Sequence, residues 1–259
     1  MSKWDSECPD CRGSGWSLVS RDGTETVVSC PRCGAADRLD QLLRRASIPD
    51  RYISKDFRAY HPDPKFSSQQ EALTSSIQFV ENYPEVHRGL LYRGSCGVGK
   101  THLAVAVLKD LVLEKQVSAR FVDETELLRR LQYSYGPDSP ETEREVLRPL
   151  YSAELLVWDD LGAGRPTEWV AETIRTILNH RYTRGKQTVL TTNLPLKAPV
   201  KRFVENSLMD PIVVREQILE ERIGAPLFSR IMEMCKVVEM DGPDFRRQVY
   251  KPSLDAQQV

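Results

Sequence analysis

The sequence predicts an α/β fold, a parallel sheet sandwiched by helices, with a small module of a different kind at its N-terminus. Three observations carry that expectation. Beyond residue 68, short apolar runs alternate with longer segments of helical spacing, the pattern of strands joined by crossover helices. One run-to-helix junction holds Gly94-Ser95-Cys96-Gly97-Val98-Gly99-Lys100-Thr101, which meets G-x-x-x-x-G-K-[ST] at every fixed position. Before residue 41, two Cys-x-x-Cys pairs mark a stretch rich in Cys, Gly and Ser.

Composition bounds the function classes. With 259 residues and 40% apolar content, the chain can bury one sizeable core and carry a small appendage. Its 36 basic and 37 acidic residues leave a formal net charge of −1, which excludes a uniformly basic coat for nucleic acid and makes any such contact local. Met1-Ser2-Lys3-Trp4-Asp5-Ser6-Glu7 has no apolar signal core, and no apolar run is long enough to span a bilayer. A cytoplasmic protein without membrane contact is expected.

Residues 1–40 are expected to form a zinc-binding module. Cys8-Pro9-Asp10-Cys11 and Cys30-Pro31-Arg32-Cys33 give C-x₂-C-x₁₈-C-x₂-C, spacing suited to a closed tetrahedral Zn²⁺ site. A hairpin through residues 17–20 and 26–28, turning at Arg21-Asp22-Gly23, would bring the two pairs together. So small a module cannot fold on its own apolar core, and the metal would supply most of its folding free energy. Two disulfides or reduced thiols are the alternatives. Cys96 and Cys235 are read as reduced and non-ligating.

Residues 41–68 read as a linker and entry segment. A short charged helix ends near Arg45, and Ile48-Pro49-Asp50 and His61-Pro62-Asp63-Pro64 then break regular structure. Residues 69–248 form the main domain. Leu73, Ile77 and Val80 share one face of its first helix, and strands are expected at residues 89–92, 119–122, 155–158, 188–191 and 236–239. Gly136-Pro137-Asp138-Ser139-Pro140 interrupts the segment after a helix over residues 124–135, and Pro195, Pro199 and Pro211 punctuate an irregular region after the fourth strand. Residues 249–259 are a polar tail.

The chemistry is concentrated at strand ends. Glycines at 94, 97 and 99 let backbone N–H groups face phosphate oxygens, Lys100 adds a point charge, and the Thr101 hydroxyl can ligate Mg²⁺. That is a nucleoside triphosphate site. Leu155-Leu156-Val157-Trp158 delivers Asp159 and Asp160 to the sheet edge where ligands of open α/β sheets bind. Asp159 would hold Mg²⁺ through water, and Asp160 would orient or deprotonate the attacking water. Leu190-Thr191-Thr192-Asn193 places an amide at the same edge, either to report the γ-phosphate or to cap the strand before Leu194-Pro195.

Taken in order, Gly94–Thr101, Leu155–Asp160, Thr191–Asn193 and Glu221-Arg222-Ile223-Gly224-Ala225-Pro226-Leu227-Phe228-Ser229-Arg230-Ile231 resemble the AAA+ ATPases of the DnaC/IstB-like group, over roughly residues 45–247. The resemblance implies a P-loop NTPase fold, ATP and Mg²⁺ as ligands, and a phosphate cradle running from Gly94 to His102. It implies slow ATP hydrolysis that depends on a homo-oligomer formed in the ATP state. Arg230 would be the arginine finger in trans, with Arg222 the runner-up; Asp244-Phe245-Arg246 would place Arg246 on the nucleotide in cis, with Arg247 its neighbour and rival. Ile48, Tyr52 and Phe57 would line an adenine pocket. The implied task is loading a replicative DNA helicase onto single-stranded DNA, the zinc module contacting the helicase and Arg129-Arg130 offering phosphate contacts. A transposition helper that binds duplex DNA, and a noncatalytic zinc-ribbon adaptor switched by nucleotide, are the competing readings. Asp160 stands where many AAA+ proteins have Glu.

Overall fold

The computed structural model describes residues 8, 9, 11, 16–21, 24–30, 41–164, 167–197 and 217–249. The expected hairpin is present as an antiparallel pair, β1 (Trp16–Arg21) and β2 (Thr24–Ser29), with Trp16 opposite Ser29. Its turn residues Asp22 and Gly23 lie outside the described residues, as do Cys33, Pro199, Pro211 and the tail beyond residue 249.

The main domain is a five-stranded parallel sheet of β3 (Gly89–Gly94), β4 (Ala119–Asp123), β5 (Leu155–Asp159), β6 (Gln187–Thr192) and β7 (Cys235–Met240), in the order β4-β5-β6-β3-β7. Each strand contains its sequence-predicted core and runs one or two residues further. Asp123 and Asp159 are among the added residues at the C-terminal edge, where a polar side chain falls outside a hydrophobic pattern. β3 pairs with both β6 and β7, so the loop leaving it emerges from the interior of the sheet at the C-terminal edge, where ligands of open α/β sheets bind.

Strand side chains alternate between two cores. Leu90, Tyr92, Leu155, Val157 and Val189 face one layer, which holds α1 (residues 41–46), α2 (Ser67–Glu81) and α3 (Lys100–Lys115). Leu91, Leu156, Trp158 and Leu190 face the other. That layer is built from α4 (Glu124–Ser134), α5 (Glu143–Ser152), α6 (Glu168–Thr183), α7 (Leu219–Ile223) and α8 (Ala225–Met234). A last short helix, α9 (Phe245–Val249), follows β7.

Leu103 to Leu108 in α3 are all fully buried, which explains why this helix is apolar on every side rather than striped. The entry segment is part of the same core. Ala46 is fully buried, and Ile48, Tyr52 and Phe57 pack against the α2–α3 layer. Arg181 is buried at the opposite sheet edge, where its guanidinium donates to the carbonyls of Leu150, Ala153, Glu154 and Gln187 and to the Thr188 hydroxyl. That set ties the ends of α5 and α6 to the starts of β5 and β6, and satisfies a buried cation through carbonyl dipoles.

Candidate active site

The phosphate loop turns through left-handed glycines, Gly97 at φ 78° and Gly99 at φ 104°, which L side chains rarely adopt. Both are also closely covered. A Cβ on Gly97 would run into the Asp244 carboxylate, and one on Gly99 would lie 2.6 Å from a Tyr60 ring carbon. The peptide N–H of Phe245 donates to Gly97 O at 3.2 Å, so the segment leading into α9 is docked on the loop.

Lys100 is buried, and its Nζ donates to Gly94 O at 2.8 Å, Ser95 O at 2.7 Å and Asn193 Oδ1 at 2.6 Å. Burial lowers its pKa, opposed by the nearby Asp160 carboxylate. Asn193 in turn donates from Nδ2 to Asp160 Oδ1 at 3.0 Å. One amide thus joins the loop lysine to the second acid of β5. Asp160 sits at φ 54°, a conformation Asp tolerates better than most residues, and its N–H is held by Thr191 Oγ1 at 2.9 Å.

Asp159 is 3% exposed and accepts from Thr191 Oγ1 at 2.6 Å and from Thr101 Oγ1 at 2.9 Å. Burial pushes its carboxyl from 3.8 up to about 6, the Thr191 and Thr101 hydroxyls opposing and Asp160 reinforcing the shift. A buried acid beside a hydroxyl of the phosphate loop is a donor set suited to a hard divalent cation such as Mg²⁺, which would favour the ionised form. Asp123 brings a third carboxylate within 4.8 Å, while its side chain also caps α4 through Glu126 N.

Behind these residues lies a fully buried carboxylate. Glu124 accepts from Trp158 Nε1 at 3.2 Å, Gly162 N at 2.8 Å and Gly164 N at 2.9 Å, fixing the backbone that follows Asp160. Arg222 donates to Gly164 O at 2.9 Å on the same loop. Sequence reasoning gives Glu124 and Thr191 no role. Their partners lie more than thirty positions away in the chain; Thr191 stands in the run that ends at Asn193, but nothing in that run assigns its hydroxyl to Asp159.

The phosphate loop opens into a cleft of about 740 Å³, a size suited to a small ligand. Of the sequence-predicted residues, Cys96 through His102, Asp160, Asn193, Tyr52 and Arg246 line it. Ile48 and Phe57 lie in the core beneath and are not among the lining residues. Arg247 is largely exposed and reaches toward Asp244 at 3.8 Å. Arg230 lies outside the cleft, donating to Asn179 Oδ1 at 2.7 Å with its guanidinium 5.7 Å from the Tyr182 ring. Arg129 and Arg130 are ion-paired with Glu126 and Glu141, which offsets the charge expected to meet phosphates.

In the N-terminal module the thiols of Cys8, Cys11 and Cys30 converge within 4.8 Å and are buried. Cys8 Sγ and Cys30 Sγ are 3.8 Å apart, far beyond a disulfide bond and close to the ~3.8 Å edge of a tetrahedron with Zn–S bonds near 2.3 Å. The residues present fit a thiolate-bound zinc.

Comparison with known proteins agrees with this geometry. The chain is 27% identical to the replicative helicase loader DnaI of Bacillus subtilis (strain 168) over 233 residues, covering 87% of this chain and 71% of that one. It is 23% identical to the replicative helicase loader DnaC of Escherichia coli (strain K12) over 183 residues, covering 71% and 73%. A crystal structure of the DnaC helicase loader superimposes with a TM-score of 0.60 at 33% identity, covering 74% of this chain and 99% of that one. The family model described as IstB-like ATP binding protein matches residues 29–253, from the second cysteine pair through α9. With a match spanning most of its length and a phosphate loop built as described, the chain belongs to the family of IstB-like ATP binding proteins.

Proposed function

We propose that the protein is an Mg²⁺-dependent ATPase of DNA replication that loads a replicative helicase onto single-stranded DNA. The observation that carries the hydrolytic part is the direct chain Lys100–Asn193–Asp160, backed by the Thr101–Asp159 hydrogen bond. Lys100 and the loop amides would hold the phosphates, and Thr101 with Asp159 would hold Mg²⁺, which when bound screens phosphate charge. A terminal phosphate on Lys100 takes the position of Asn193 Oδ1. The released amide is then free to face the phosphate, and Asp160, no longer bonded to it, can accept a proton from the attacking water.

Assembly completes the reading. Arg230 and Arg222 are absent from the lining of their own cleft, so a role on phosphate would be toward a neighbouring copy, with Arg230 the finger. Arg246, which does line it, would contact nucleotide in cis. Cys8, Cys11, Cys30 and Cys33 would hold a structural Zn²⁺ in a module that meets the helicase. The helicase enters from the replicative helicase loaders DnaI and DnaC among the relatives, and single-stranded DNA from the family resemblance of the sequence.

The test is ATP turnover by the wild type, Lys100→Ala and Asp160→Asn, each with a hexameric helicase and single-stranded DNA. Wild-type turnover at least tenfold above both variants, together with co-purification of the helicase, is the expected result. Turnover equal to Lys100→Ala removes the enzyme and leaves a nucleotide-switched adaptor. Turnover stimulated by duplex DNA and a transposase, but not by helicase, replaces loading with transposition.

A further inference from the structure

Glu124 is fully buried, yet its carboxylate is bonded only to N–H groups: among the described residues no cation pairs with it. A buried anion without a counter-charge is costly, and the helix it opens does not require it, because the neighbouring Asp123 caps α4. Its three donors show where its effect is delivered. Oε2 accepts from Trp158 Nε1 and Gly162 N, and Oε1 from Gly164 N, so two of the three belong to the turn that leaves β5. The Gly164 peptide is held a second time through its carbonyl, which accepts from Arg222 Nη1.

Asp160 opens that turn. Its φ of 54° is left-handed, still costly for a residue with a side chain, and such a backbone persists only where the surroundings over-determine it. β6 supplies one hold: the Thr191 hydroxyl accepts from Asp160 N at 2.9 Å, and the Thr191 carbonyl from Leu161 N at 2.8 Å. The turn also closes on itself, Ala163 N donating to Asp160 O at 3.0 Å. Glu124, at the end of β4, supplies the other hold, so the turn leaving β5 is gripped from both neighbouring strands. In that backbone the Asp160 carboxylate accepts from Asn193 Nδ2 at 3.0 Å, beside the bond from Lys100 to the same amide. Without Glu124, residues 162–164 can swing outward and Asp160 can relax to a right-handed backbone, which turns its carboxylate away from Asn193.

We infer that Glu124 is a positioning residue for hydrolysis, holding Asp160 where its carboxylate meets the attacking water. This rests on the cleft being an ATPase site with Asp160 as the proton acceptor. The test compares full chains of the wild type, Glu124→Gln, Asp160→Asn, the two combined, and Gly164→Ala. ADP affinity with Mg²⁺ is read by calorimetry, and ATP turnover with a hexameric helicase and single-stranded DNA. Gln offers one acceptor oxygen; set toward Trp158 and Gly162, it leaves an NH₂ against Gly164 N–H and releases that peptide. Glu124→Gln should lose about tenfold in kcat, with ADP affinity within about twofold of wild type. Because it acts through Asp160, the combined variant should turn over no more slowly than Asp160→Asn alone. Gly164→Ala keeps the buried carboxylate but would set a Cβ 3.1 Å from Glu124 Oε1 and 3.0 Å from Leu128 Cδ1, shifting the same peptide. Its kcat should fall about threefold or more, and it carries the test if Glu124→Gln does not fold. Unchanged kcat in a folded variant overturns the role. So do additive losses in the combined variant, or an ADP affinity that falls as far as kcat, the mark of a generally loosened fold. A wild type without turnover sinks the ATPase reading and this role together; turnover lost in Asp160→Asn but kept in Glu124→Gln and Gly164→Ala sinks the role alone.

Discussion

Replacing Asp159 by Asn should stabilise the nucleotide-free protein while destroying its response to Mg²⁺. The Asp159 carboxyl is raised from 3.8 to about 6, so between those values the folded protein holds more protons than the unfolded chain. Stability therefore falls as pH rises through that window, and the penalty is complete above about pH 6. At 1.36 kcal/mol per pH unit the shift corresponds to about 3 kcal/mol at pH 7.5 and roughly half of that at pH 5. Asn keeps an oxygen to accept from Thr101 and Thr191 and carries no charge to desolvate. Urea unfolding at pH 5 and 7.5 should show Asp159→Asn more stable than wild type, with the larger gap at pH 7.5. Adding ADP with Mg²⁺ should close or reverse the gap, because only the wild type keeps the anionic ligand. If Asp159→Asn is the less stable protein at pH 7.5, or if the gap ignores pH, buried unscreened charge is not what raises this carboxyl.

Three further outcomes follow from the packing. Arg181→Met would strand the carbonyls of Leu150, Ala153, Glu154 and Gln187, and should lose about 3–5 kcal/mol in urea unfolding; a loss under about 1 kcal/mol would show that water replaces the guanidinium. Gly97→Ala combines a left-handed backbone with a clash against Asp244, so ADP affinity should fall about tenfold or more and the melting midpoint should drop; unchanged binding would mean the α9 segment lifts away without effect on the loop. Purified wild type should carry about one zinc per chain by elemental analysis, and Cys30→Ser little or none. Proteolysis confined to residues 1–40 in Cys30→Ser, with the main domain intact, would mark the site as structural for that module alone.

The sheet was legible because its strands are buried on both faces and read as continuous apolar runs, and the phosphate loop because its function requires fixed residue types at short spacing. Asp159, Asp160 and Asn193 were legible for a related reason: they directly follow, or end, apolar runs whose geometry delivers them to one edge. Other features depend on neighbours distant in sequence. Glu126, three residues before Arg129, is a local partner for that arginine, whereas the Glu141 that pairs with Arg130 lies beyond the turn after the helix. Likewise, Ile48, Tyr52 and Phe57 all pack on the core, and of the three only Tyr52 also lines the cleft.

By itself, then, the sequence determined an α/β chain with a triphosphate loop, two strand-end acids and a cysteine module, since each depends on the order of residue types along a few turns of backbone. Only the tertiary structure decided that Asn193 joins Lys100 to Asp160, that Glu124 holds the loop beyond them, that Asp244 lies on Gly97, and that Tyr60 packs on Gly99. These are contacts between segments brought together by the parallel sheet, and a hydrogen bond between distant residues leaves no period or spacing in the chain.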